Sequence, residues 1–424
     1  MFYINFFIFF VCLNLFNCEE TKHKKKLFNE TLLKWAKKKH IILSNKINLN
    51  YTSNNYKTFY ANDDIYENET ILEIPYESIL TIDLLEKYAP KFLLDIYSDM
   101  NNKSSPSNNI FRKPMTKEQI FISLNFEYAI SHKKKSKLYK LYKPYFQTFE
   151  NNFDYYPLLY GEDELSLINP TNFGSKVINA KLSIFNEFEY IQKNYSYDSL
   201  INDEYIKYRI ISVSKCYNFL GSSAIIPFVD FFPIEMNQSL YNVFWTINNN
   251  TKTFTIKANT IIKKGELLIM KCHNIPNSRL LMYYGLTFEN NDYIDPFLIK
   301  YLHNNLKKEI KIQNYILNPK INEFDLAKQS FIGDTMDNYR NLGSYFNLPN
   351  NDDTGYILML KNLKYYMDDY NLINETDYYK KIVLEKNRIN IKRVIELEKM
   401  LLQKRIDLLQ EIVDERMKDK KIDL

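Results

Sequence analysis

The sequence predicts an α+β chain: a β-rich unit made from two separated stretches encloses a helical insertion and is followed by an all-α C-terminal domain. Three observations predict it. Short runs rich in β-branched and aromatic residues occur at 70–75 and again between 224 and 256. The chain between them, from about 84 to 210, carries helical spacing. After Gly355 there is neither Gly nor Pro, and the apolar residues fall at helical intervals.

The first eighteen residues, MFYINFFIFFVCLNLFNC, form one apolar run, followed by Glu19-Glu20 and the basic Lys22-His23-Lys24-Lys25-Lys26. This reads as a secretory signal sequence, with an uncleaved anchor as the competing reading, and it is set aside from the fold. The chain is expected to enter the secretory pathway, with onward passage to a plastid-like organelle as a further destination. No later apolar run approaches the ~18 residues that a membrane-spanning helix needs.

A short amphipathic helix is expected around Thr31-Leu32-Leu33-Lys34-Trp35-Ala36. A strand follows at Thr70-Ile71-Leu72-Glu73-Ile74-Pro75, where Pro75 stops it. The helical pattern begins with Leu84, Leu85 and Tyr88 and resumes with Ile120, Ile122, Leu124 and Phe126 after a polar gap at 101–109. Strand character returns at 224–229. Runs at 242–246 and 253–256, separated by Asn248-Asn249-Asn250, read as a hairpin. Near the end, Val394, Leu397, Leu401, Leu408 and Ile412 stand 3, 4, 7 and 4 residues apart, the mark of a long amphipathic helix.

At 424 residues the chain is long enough for two or three units, at roughly 150 residues per domain. The net charge of +5 comes from 56 basic and 51 acidic residues spread along the chain. That distribution suggests no basic face for a run of phosphates, so nucleic acid is not an expected partner. Of the four cysteines, Cys12 and Cys18 lie in the N-terminal run and only Cys216 and Cys272 in the body. They build neither a disulfide framework nor a CxxC zinc pattern, and no metal is expected.

The stretch KGELLIMKCHNIPNSRLLMYYG, residues 264–285, reads as a strand, a polar loop and a helix, the outline of an active-site segment. Its Cys272 and His273 are neighbours in a strand and so point to opposite faces, which argues against a thiol–imidazole dyad.

Five segments then carry a resemblance: ETLLKWAKKKHI, FYANDDIYENETILEIP, SKLYKLYKPYFQTFENNFDYYPLLYGEDELSLI, AIIPFVDFFPIEMN and ANTIIKKGELLIMKCHNIPNSRLLMYYGL. Over about residues 27–415 the chain resembles SET-domain proteins of the Rubisco large-subunit methyltransferase group, lysine and histidine methyltransferases with a split SET domain and a helical substrate-binding domain. The resemblance implies a SET N-terminal part at 27–83, a helical insert at 84–205, a SET C-terminal part at 206–292 and an α-helical substrate-binding-like domain at 293–424.

It further implies methyl transfer from S-adenosylmethionine to a protein side chain, with rate coming from alignment and from oxygen dipoles facing the methyl. By the resemblance, Glu73, Lys215 and Asp230 are polar cofactor contacts. The family's Gly-x-Gly loop falls on Tyr56, Lys57 and Thr58. Its cofactor-holding Asn-His pair falls on Pro233 and Ile234, and its catalytic tyrosine on Cys272, with His273 in place of Gly. Tyr284 matches an aromatic that walls the lysine channel.

Pro has no N–H and Ile no polar atom, and each lost hydrogen bond of this kind costs about 1–3 kcal/mol. Removing a preorganised catalytic donor costs a factor of about 100–1000 in rate. Two functions follow from the resemblance. One is a divergent protein-lysine N-methyltransferase with a weakened S-adenosylmethionine site, in which Tyr284 or another tyrosine stands in for the missing phenol. The other is a catalytically inactive SET fold acting as a protein-binding module. The expected partner is a protein, with a membrane only if the N-terminal run is an uncleaved anchor.

Overall fold

The computed structural model describes residues 25–52, 56–102, 116–149, 152–195, 197, 200–272, 275–291, 298–299, 312–313, 352–371, 373, 382 and 384–418. The N-terminal apolar run and His273 lie outside the described residues. The chain divides into two compact units, the first made of Met1–Asn151 and Tyr190–His273, the second of Asn152–Glu189 and Asn274–Leu424.

In the first unit, helix α1 spans residues 25–38 and buries Leu32, Trp35 and Ala36 on one side. Strands β1 (Ile42–Leu43), β2 (Ile47–Tyr51), β3 (Lys57–Ala61), β4 (Thr70–Pro75) and β5 (Leu80–Thr81) follow. Helices α2 (Ile82–Tyr88), α3 (Lys91–Asn101), α4 (Lys117–Ser131) and α5 (Lys137–Phe146) form the first part of the insertion. The chain passes through α6 (Glu162–Ile168) and most of α7 (Asn172–Tyr195) in the second unit and returns to the first for the end of α7 and for α8 (Asn202–Ser214). The chain returns to strands β6 (Cys216–Phe219), β7 (Ser222–Ile225), β8 (Ile234–Glu235), β9 (Val243–Asn248), β10 (Thr253–Ala258) and β11 (Met270–Lys271).

The two separated strand regions form one sheet, in the order β1-β4-β10-β9-β11-β8. The join is antiparallel, with Leu72 opposite Ile256 and Glu73 opposite Thr255. Leu72, Ile74, Phe254 and Ile256 are fully buried, each such side chain contributing about 1.5–3 kcal/mol of transfer free energy. The β9–β10 hairpin closes because Asn248 Oδ1 accepts from the N–H groups of Asn250 and Thr251 at 3.0 and 3.2 Å, an Asx turn of the kind its Asn run predicts.

The segment at 264–272 differs from the continuous strand expected of it. Leu267 bridges Tyr60, and Leu268 N–H donates to the Phe59 carbonyl at 3.0 Å. Two residues later Met270 has turned to pair with β8 and β9. The chain changes partners midway, so only Met270–Lys271 form a regular strand in the sheet.

The second unit contains α6, most of α7 (through Glu189), α9 (Asn277–Tyr284), α10 (Asp352–Asn371) and α11 (Glu385–Lys418), with a two-stranded ribbon of Leu298–Ile299 and Ile312–Gln313 between the helices. The long terminal helix is present. Val394 and Leu401 are buried and Leu397 is half-buried, while the side chains of Leu408 and Ile412 lie outside the described ones. Its buried stripe runs through Ile391, Val394, Ile395, Leu402 and Leu409, and it includes a carboxyl, Glu398.

Glu398 accepts from the Tyr370 hydroxyl on α10 and, at 3.4 Å, from Asn172 Nδ2 at the start of α7. Tyr370 Oη in turn accepts from the Asn172 N–H at 2.9 Å. Burial pushes the Glu398 carboxyl up to about 7, against the opposing pull of Tyr370, Lys176, Asn172 and the Phe173 N–H. The folded value lies above the unfolded one, so the stability this group contributes is fully present below about pH 4.3 and is lost as pH rises through about 7. The difference is on the order of 3 kcal/mol. Thermal melts from pH 5 to 8 are expected to fall with rising pH in the wild type, and Glu398→Gln is expected to flatten that slope.

Candidate functional site

The structure brings Lys215 and Asp230 together. Lys215 caps the C-terminus of α8, and Asp230 lies in the 3-10 turn Val229–Phe231 after β7. Their Nζ–Oδ2 distance is 2.7 Å, and their side chains are only 13% and 8% exposed. The other carboxylate oxygen accepts from the Tyr145 hydroxyl on α5 at 3.3 Å. Tyr145 is fully buried, stacked on Trp35 at 6.3 Å and edge-on to Phe149 at 5.2 Å. Burial first, then the Asp230 carboxylate, holds its phenol well above the usual tyrosine range, so it remains a donor.

Sequence reasoning did not place Tyr145 in the site. The signal was the Lys143-Pro144-Tyr145 phrase, which matched the fold without suggesting a role.

The turn carrying Asp230 is entered through Phe228, a fully buried residue at φ 70°. A bulky residue in that region costs of order 1–3 kcal/mol and persists only where its surroundings fix it. The surroundings here are aromatic: Phe228 faces Trp35 at 6.1 Å and Phe231 at 5.4 Å, and Phe59 of β3 meets Phe232 at 5.1 Å.

Pro233, Ile234 and Cys272 are also neighbours. The Pro233 carbonyl accepts from Met270 N–H at 2.7 Å, Ile234 pairs with Met270, and Cys272 N–H donates to the Glu235 carbonyl at 2.7 Å. Cys272 is buried, and burial, then the Glu235 carboxylate, pushes its thiol up to about 11. A thiol held that far above the neutral range is not an activated nucleophile.

Glu73 stands apart. It is half-buried on β4, and among the described residues its side chain makes no hydrogen bond or ion pair. Strands β10 and β9 separate β4 from β11, three strand spacings or about 14 Å. At the expected loop, Thr58 and Lys57 are paired with Asn50 and Tyr51 of β2. The buried Thr58 hydroxyl has no partner among the described residues.

Tyr284 belongs to the second unit. It is half-buried on the last turn of α9, which Gly285 ends in the left-handed region at φ 63°. Buried amides hold this helix: Asn277 exchanges two hydrogen bonds with the Phe288 backbone, at 2.8 and 2.9 Å, and Asn390 of α11 donates to the Gly285 carbonyl at 3.3 Å.

A split β unit with a helical insertion and a helical C-terminal part is the SET-domain fold of the Rubisco LSMT type. Solved structures match it over almost the whole chain. The SET domain of LSMT bound to lysine and AdoHcy aligns with a TM-score of 0.62 at 14% identity, covering 91% of each chain. Rubisco LSMT bound to AdoMet aligns at 0.61 and 14%, covering 92% of this chain and 96% of that one. Rubisco LSMT bound to sinefungin and monomethyllysine aligns at 0.56 and 14%, covering 93% and 94%. No protein-family model and no curated protein matches the sequence.

Proposed function

We propose that this chain is a SET-fold protein-binding module that grips a protein partner and has lost methyl transfer. The observation that carries this reading is Cys272: a buried thiol, raised to about 11, stands where the fold's catalytic phenol is expected. Ligands in the solved neighbours, lysine in one and monomethyllysine in another, support a protein side chain as the partner's contact point.

S-adenosylmethionine, which the resemblance implies, fits these residues poorly. Pro233 offers no N–H and its carbonyl is taken by Met270, while Ile234 offers no polar atom. Lys57 and Thr58 are paired into β2, and the Asp230 carboxylate is occupied by Lys215 and Tyr145. Of the expected contacts, Glu73 retains a side chain without a partner among the described residues. Two lost hydrogen bonds at about 1 kcal/mol or more each weaken binding by roughly thirtyfold or more.

Isothermal calorimetry of the full chain with S-adenosylmethionine and S-adenosylhomocysteine tests the reading; no heat at millimolar ligand is expected. A dissociation constant in the micromolar range would reject it. Cys272→Tyr is expected to gain no methyl transfer to histone or ribosomal lysines, because the contacts at 233–234 are missing as well.

The second reading, a divergent lysine methyltransferase, has one observation in its favour. Lys215, Asp230 and Tyr145 form a buried polar unit at motif positions, and a buried ion pair is weakly justified by stability alone. A gain of transfer in Cys272→Tyr would select this reading.

A further inference from the structure

The even balance of charge along the sequence conceals a local concentration. No Asp or Glu occurs between Glu30 and Asp63, nor between Glu127 and Glu150. The fold puts these two acid-free stretches in contact: the Trp35 indole N–H of α1 donates to the Leu141 carbonyl of α5 at 2.8 Å, and Lys39 Nζ lies 4.2 Å from the centre of the Tyr142 ring. Both helices bury their aromatic sides. What they leave exposed is Lys34, Lys37 and Lys38 on α1, and Lys137, Lys140 and Lys143 on α5, with the exposed lysines 133–135 just before it. Among the described residues, none of these lysines is in an ion pair. Leu33 and Leu141, 39% and 37% exposed, lie on the same two helices.

We infer that the outer sides of α1 and α5 form a docking face for an anionic lipid surface. Unpaired lysines interspersed with exposed leucines match the requirement of such a surface, charge attraction outside and shallow apolar contact within. Placement in the chain selects lipid over other polyanions. The apolar run at 1–18 precedes α1 by six residues, 19–24, a reach of at most about 20 Å. That run holds no Lys or Arg, whereas Lys22, Lys24, Lys25 and Lys26 follow it. If it acts as an anchor, the positive-inside rule puts the folded chain on the cytoplasmic side, where the leaflet is anionic. Each lysine near such a surface strengthens binding by about fivefold.

Flotation or co-sedimentation of the full chain tests this, with vesicles of phosphatidylcholine alone and of phosphatidylcholine with about 30% phosphatidylserine. The neutral vesicles report whatever the apolar run contributes. Partitioning at about 0.1 M salt is expected to be at least tenfold stronger on the anionic vesicles, and the excess is expected to vanish near 1 M salt, where the screening length falls to about 3 Å. A variant with Lys34, Lys37, Lys38, Lys134, Lys137 and Lys140 each changed to Gln is expected to lose most of the excess while keeping its melting temperature. Should that variant not fold, the salt dependence of the wild type decides alone. Equal partitioning onto both vesicles, or an excess that survives high salt, overturns the proposal. So does tighter binding to a DNA duplex or to polyglutamate than to the anionic vesicles at the same salt.

Discussion

Lys215→Met is expected to destabilise the first unit by about 3 kcal/mol, the lower end of what breaking a buried ion pair costs. The cost comes from what is left behind. Asp230, its side chain only 8% exposed, would be left with one neutral donor, the Tyr145 hydroxyl at 3.3 Å, and no cation. Asp230→Leu alone is expected to be comparably damaging, because it leaves the ammonium of Lys215 buried beside the Phe149 ring, 5.8 Å from its centre. The double variant Lys215→Met/Asp230→Leu removes both charges together and is expected to recover at least half of the summed loss of about 6 kcal/mol, giving a coupling energy of about 3 kcal/mol or more. The protein carries its own probe, since both tryptophans, Trp35 and Trp245, lie in the first unit and Trp35 stacks on Tyr145. Denaturant titrations followed by tryptophan fluorescence read the effect. A loss below about 1 kcal/mol in the single variants would mean that solvent screens the pair as it does surface ion pairs. The network would then carry no weight for either function.

The parts of the fold legible in the sequence are those set by local rules. Strand β4 at Thr70–Pro75 and the β9–β10 hairpin follow from short alternating runs bounded by Pro75 and by an Asn turn. Helix α11 follows from its apolar period. What stayed hidden depends on contacts between residues far apart in the chain. Tyr145 and Asp230 are 85 positions apart, and nothing local to either points to the other. Trp35 and Leu141, the contact that joins the two lysine-rich helices, are 106 apart, so a near-neutral net charge gave no sign of a basic face. Glu398 sits where an apolar residue would continue the stripe, and only the approach of Tyr370 and Asn172 explains a carboxyl there. The candidate site was legible as a set of substituted positions. Strand alternation already argued against a Cys272–His273 dyad; what the sequence did not show was the Glu235 carboxylate beside the thiol.

Gly174→Ala is expected to be the most damaging of the small substitutions, at about 4 kcal/mol. Gly174 lies in the first turn of α7, and a Cβ there would stand 1.8 Å from the carbonyl oxygen of Ile168, the last residue of α6. Real Cβ contacts stay beyond 3.0 Å, so one backbone must move by at least 1.2 Å. Neither is free to do so. Thr171 Oγ1 donates to that same Ile168 carbonyl at 2.6 Å and accepts from the Gly174 N–H at 2.9 Å. The neighbouring Asn172 is tied to Tyr370 and Glu398. Displacing the start of α7 therefore adds overpacking, about 1–3 kcal/mol, to at least one buried polar group left unsatisfied, again about 1–3 kcal/mol. Gly285→Ala offers the comparison. Its Cβ would come within 2.4 Å of Tyr155 Cδ2, a side-chain atom rather than a hydrogen-bonded backbone carbonyl, and the left-handed backbone adds about 1–2 kcal/mol. A loss near 2 kcal/mol is expected there. Helix signal by circular dichroism during denaturant unfolding ranks the two. An alanine at 174 tolerated as well as one at 285 would mean that α6 and α7 are not held together as closely as this backbone contact requires.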